Sequence, residues 1–105
     1  MSNTPEGKVK LKLVGMLKTH KVWHFFPANN GFGKAGIPDV IICWYGRFIG
    51  VEAKAARGKA TALQLHVGTQ IRDAGGRWFI VRNEADIAEL EAVLIRIRNE
   101  HHAGS

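Results

Sequence analysis

The 105-residue chain has one cysteine, Cys43, three prolines and no long apolar run. One cysteine excludes an intramolecular disulfide scaffold and a cysteine-rich zinc module, and it fits a reducing, cytoplasmic compartment. The longest apolar stretches fall well short of the roughly 20 residues that cross a bilayer, so no membrane partner is expected. Met1 to Lys12 lacks the apolar centre of a secretory signal. Acid is scarce too: 9 Asp and Glu stand against 15 Lys and Arg, a net charge of +6. The length allows one domain, residues 1–105, and the hydrophobic fraction of 46% argues against disorder.

The charge is uneven. Residues 1–34 carry six lysines and one acid, residues 35–83 seven basic residues and three acids, and residues 84–100 two arginines and five acids. A polyanion is therefore expected to meet the first four-fifths of the chain and avoid the last helix.

Thr4-Pro5 reads as a helix start, with Val9, Leu13, Met16 and Leu17 forming an apolar stripe to about His20. Lys21 to Phe26 reads as a strand. Ala28 to Pro38 is a loop rich in Asn and Gly. Its Gly31-Phe32-Gly33-Lys34-Ala35-Gly36 has the spacing of a dinucleotide fingerprint, but no helix follows, so the fingerprint is rejected. Val40 to Tyr45 and Arg47 to Lys54 form a hairpin about Gly46. The apolar run Val40 to Cys43 predicts a strand covered on both faces, with Cys43 a buried small hydrophobe.

Thr61 caps a helix to about Ala74, stopped at Gly75-Gly76. Arg77 to Arg82 is a strand. Asn83 opens a last helix with Ile87, Leu90, Val93, Leu94 and Ile97 buried, and residues 100–105 are expected to be a disordered tail. Trp23, Phe25, Trp44, Phe48 and Trp78 lie at strand spacings, which predicts core packing. His20, His24 and His66 show no metal-ligand spacing, and His24 and His66 read as structural. The order αβββαβα describes an α/β fold with a mixed sheet and packed helices.

One constellation carries chemistry. Asp39 begins one hairpin strand, and Glu52 and Lys54 share a face near the end of the other. Two close carboxylates repel unless a cation lies between them. Mg²⁺ or Mn²⁺ with oxygen ligands resolves the repulsion, accepts a phosphate oxygen and activates water. Lys54 would orient that water or stabilise the transition state. A Glu52–Lys54 ion pair on a strand is the plainer reading of the same spacing. The Pro-Asp start of an apolar strand, the glycine-rich approach and the basic surroundings favour the site.

Pro38-Asp39, twelve residues, then Glu52-Ala53-Lys54 resembles the PD-(D/E)xK nuclease signature. With Glu6 in a first helix, Gly36-Ile37 before Pro38, Gly58-Lys59, Gln64 in the next helix and Gly75-Gly76 before a strand, the chain is similar to the VRR-NUC branch over residues 5–82. The valine-arginine-arginine string naming that family is absent; Val81-Arg82-Asn83 is the nearest stretch.

The resemblance implies a restriction-endonuclease-like αβββαβ core with an extra C-terminal helix. It implies metal ligation by Asp39, Glu52 and the Ala53 carbonyl, catalysis by Lys54, and support from Gln64. Glu6 would reach a metal-bound water, or would only offset its helix dipole. The implied activity is Mg²⁺- or Mn²⁺-dependent cleavage of DNA, selective for branched forms such as four-way (Holliday) junctions and carried out by a homodimer in a bacterial or phage-infected cytosol. Lys34, Arg57 and Lys59 would hold DNA. Phe32 would stack on a base or anchor its loop. The alternative is a non-catalytic nucleic-acid-binding module.

Overall fold

The computed structural model describes residues 4–28 and 35–104. Helix α1 (Pro5–Thr19) is followed by β1 (Trp23–Phe25), β2 (Val40–Trp44), β3 (Arg47–Ala53), α2 (Ala62–Asp73), β4 (Arg77–Val81) and α3 (Glu84–Ala103). The four-stranded sheet runs β1-β2-β3-β4, with β3 and β4 parallel and the other pairs antiparallel. It is a mixed α/β fold of three helices on a mixed sheet, with the αβββαβ order and an added C-terminal helix.

Each start has a local cause. The Thr4 hydroxyl accepts the Gly7 N–H at 3.0 Å, with Pro5 in the first turn. Thr61 and Gln64 form a reciprocal capping box on α2. The Asn83 side chain accepts the Asp86 N–H, and Asp86 in turn accepts the Arg82 N–H. The β2–β3 turn is two residues, Tyr45 and Gly46, both at positive φ (49° and 80°). That pair of signs matches the right-handed twist of the strands it joins.

Strand alternation divides the sheet into two faces. Val40, Ile42, Trp44, Ile49, Val51, Ala53 and Val81 point to the face covered by α1 and α3. There they pack with Leu13, Leu17, Ile87, Leu90, Leu94 and Ile97. The opposite face carries α2 over β3 and β4. A Cβ on Gly68 of α2 would lie 2.4 Å from Trp78 Cδ2, and one on Gly50 would lie 2.7 Å from Pro38 Cγ. These bare backbones let the indole and the Pro38 ring seat against helix and sheet.

Four expectations are corrected. The first strand is only Trp23–Phe25, because Lys21 adopts the left-handed conformation (φ 56°) that ends α1. Val22 then bonds Leu17 O and buries its side chain, the apolar contact that accompanies such helix ends. Cys43 is exposed, and so are Trp23 (61%), Phe25 (44%) and Phe48 (47%), because α2 and the Pro38 ring cover the Gly50–Glu52 end of β3 and leave the Cys43–Phe48 end of the face open. Residues 100–103 are not a disordered tail: α3 continues to Ala103, and the His101 and His102 rings lie 4.7 and 5.4 Å from the Tyr45 ring.

Gly68→Ala must displace a buried indole, which outweighs its gain in helix propensity, and a net loss of about 1–2 kcal/mol is expected. Gly15→Ala, with nothing within 4 Å of its Cβ, should gain about 0.5–1 kcal/mol. Urea midpoints measure both; a Gly68→Ala protein as stable as Gly15→Ala would contradict the packing described.

Candidate active site

Val40 pairs with Val51, so one step further along the register sets Asp39 opposite Glu52. Both side chains point to the α2 face. The Asp39 carboxylate accepts the Ala53 N–H at 2.9 Å, which fixes it across the hairpin. Glu52 has no accessible surface. Its Oε1 accepts from Gln64 Nε2 at 3.4 Å. Its Oε2 has no hydrogen-bond partner, and neither has the buried Trp78 Nε1.

Gln64 is held by its own cap. Its Oε1 accepts the Thr61 N–H at 2.9 Å, so its amide NH₂ is the group left to face Glu52. The glycine-rich loop meets α2 here as well: a Cβ on Gly36 would lie 2.5 Å from Leu63 O. Only glycine allows that approach, which brings Pro38-Asp39 beside Gln64.

Burial is the largest cause raising the Glu52 pKa, and the Asp39 charge adds to it. The Trp78 indole N–H, near the carboxyl but too poorly placed for a formed bond, the Lys54 ammonium and the Asp39 backbone favour the anion but do not offset burial. The carboxyl is pushed up from 4.5 to about 7. A carboxyl so shifted beside a second carboxylate suits chemistry better than packing.

Beside Asp39 lies a polar cleft of about 480 Å³, lined by Lys10, Gly36, Asp39, Thr61 and Gln64 among others, while the buried Glu52 does not reach its surface. Lys10 comes from α1, its Nζ 5.2 Å over the Phe26 ring. Lys10 and Trp78 were not among the residues expected at this site. Lys10 is one of several lysines interleaved along α1, and only the fold selects it. For Trp78 there was a signal: a lone glycine inside a helical pattern, Gly68, marks a close neighbour.

The other residues fall as follows. Lys54 is partly buried and near enough to Glu52 to favour its anion. Arg57 and Lys59 are exposed in the β3–α2 loop, which Arg82 Nε ties down by a 2.8 Å bond to Gly58 O. Glu6 is exposed in the first turn of α1, near its positive end, and does not line the cleft. Phe32 and Lys34 lie outside the described residues. His24 Nδ1 bonds Val22 O at 2.8 Å, His66 is exposed, and His20 pairs with Glu91 at 2.6 Å, so none of the three joins the cleft.

Among the described residues no three His, Cys, Asp or Glu side chains gather into a metal cage. Two carboxylates, one with an unpartnered buried oxygen, instead fit a hard divalent ion that keeps several waters. Ala53 follows Glu52 in sequence and is joined to Asp39 through its N–H, which sets its carbonyl beside the pair.

The sign of the pH effect follows from the shift. Below about pH 4.5 Glu52 is protonated whether the chain is folded or not. Between there and about pH 7 only the folded chain keeps the proton, so its contribution to stability falls as pH rises. Without divalent metal, Glu52→Gln should flatten this fall and gain up to about 3 kcal/mol above pH 7. Denaturant titrations across that window measure it; parallel pH profiles for the two proteins would contradict the shift. No family model matches the chain, and a search of curated proteins finds no significant relative.

Proposed function

We propose that the protein is a Mg²⁺- or Mn²⁺-dependent nuclease that hydrolyses phosphodiester bonds in DNA. The observation that carries this reading is the Asp39–Glu52 pair, set cross-strand with one oxygen unpartnered and the Glu52 pKa near neutrality. Asp39, Glu52 and the Ala53 carbonyl would hold the ion. When bound, the ion would supply charge neutralisation at phosphorus and a more acidic water.

The residues divide the remaining work. Lys54 places an ammonium beside the pair, where it orients the nucleophile or meets charge developing on the phosphate. Gln64 holds Glu52 in place through its fixed amide. Lys10 lines the same cleft and offers a phosphate contact, and Arg57 and Lys59 offer more from the adjoining loop. No described helix is long and apolar enough to cross a membrane. Action in the cytoplasm, on branched DNA and as a homodimer, completes the proposal and rests on the resemblance to VRR-NUC nucleases.

Labelled four-way, flap and linear DNA incubated with Mg²⁺, Mn²⁺ or EDTA tests the reading. Cutting is expected with metal and not with EDTA. Lys54→Ala should lose about 10²–10³-fold in rate while binding DNA as before. Binding without cutting in either metal would leave only a nucleic-acid-binding module.

A further inference from the structure

The face of the sheet that carries Asp39 and Glu52 continues past α2 as an uncovered aromatic surface. Alternation puts Asp39, Ile41 and Cys43 of β2 on that face, together with Phe48, Gly50 and Glu52 of β3. In β1 Trp23 pairs with Cys43 and Phe25 with Ile41, so they face the same way. The Trp23 and Phe25 rings meet edge-to-face at 5.7 Å. Phe48 stands across from Cys43 on the other side. Three large aromatic rings, each about half exposed or more, therefore flank one exposed cysteine.

We infer that this surface is a stacking platform for unpaired bases of a nucleic-acid strand that reaches the Asp39–Glu52 site. The inference rests on the nuclease reading for the purpose of the site, but not for the binding itself. Four strand positions separate Phe48 from Glu52, about 13 Å, or roughly four stacked nucleotides at ~3.4 Å each. The direct line is closed, because the Pro38 ring sits over Gly50; Ile37 and Pro38 instead form a wall shared by an apolar cavity of about 340 Å³ beside Phe48 and the cleft over Asp39, and the strand crosses that wall. Every base has a π-face, so such a platform binds strands regardless of sequence.

Charge selects the occupant. The segment that carries β1, residues 7–38, has no acid, and Lys10 within it reaches the cleft over Asp39. Exposed Lys21 stands two residues before Trp23. A second copy of the chain would bring the same +6 charge to the contact. The aromatic area also falls short of a dimer: three rings of about 150–250 Å², half exposed, offer roughly 300 Å² against the ~800 Å² per partner of a stable interface. A strand of phosphates with unstacked bases satisfies both the lysines and the rings.

Cys43, the chain's one thiol, reports on the surface directly. The test is its alkylation by iodoacetamide in EDTA, with a short thymidine oligonucleotide, with an abasic oligonucleotide of equal charge, or with neither. The thymidine strand should slow alkylation about tenfold and quench Trp23, since Trp44 and Trp78 are buried; the abasic strand should do neither. Trp23→Ala should weaken thymidine binding about tenfold, within the range for loss of one stacked base. Equal protection by both oligonucleotides, or none by either, would overturn the platform. Slowing of alkylation by raised protein concentration alone would overturn it in favour of a second copy. Cleavage is scored separately. Protection of Cys43 in a protein that never cuts supports the platform and removes the nuclease reading. Cutting by a protein whose Cys43 stays reactive overturns the platform alone.

Discussion

Glu52 is a carboxyl with no accessible surface, and a second carboxyl, Asp39, stands across the hairpin from it. Neither electrostatics nor solvation favours that arrangement. Burial and the neighbouring charge both oppose ionisation, and they lift the pKa to about 7. A chain under selection for stability alone would place an apolar residue there, as it does at the adjacent Val51 and Ala53. The rest of the site is arranged around this unfavourable pair. Gln64 answers one oxygen, Trp78 lies close by without a well-formed bond, and Lys54 supplies positive charge.

The fold serves to hold that pair. The two-residue turn at Tyr45-Gly46 sets a register that cannot slip without turning Asp39 and Glu52 to the opposite face. Pro38 fits over Gly50, so the residue before Asp39 is locked by contact. The capping box on α2 fixes Gln64 as it starts the helix, so one side chain both begins an element and completes the site. The open end of the sheet face, from Trp23 across to Phe48, follows from the same design, because α2 and the Ile37–Pro38 segment cover only the rest of it.

Much of this was readable from the sequence where local chemistry decides. Thr4-Pro5, Thr61 with Gln64, and Asn83 marked helix starts because caps act within a few residues. Asp39 and Glu52 could be paired because the turn at Gly46 and a period of two suffice to place them. Cys43, Trp23, Phe25 and Phe48 could not be placed. Their exposure depends on how far α2 reaches across the sheet, a long-range fact that apolar composition hides. Lys21 misled for a related reason: the helix ends there without the glycine that usually marks a left-handed position. The terminal His101 and His102 looked like a tail because their partner, Tyr45, is 56 and 57 positions away.

The central claim is that the Asp39–Glu52 pair exists to hold a divalent cation. Calorimetric titration of Mn²⁺ into the wild-type protein and into Glu52→Gln, above and below about pH 7, tests it without any substrate. The account predicts Mn²⁺ binding that tightens as pH rises through the Glu52 titration, releases a proton below it, and is lost in Glu52→Gln. Equal Mn²⁺ affinity in the two proteins, or affinity indifferent to pH, would contradict it.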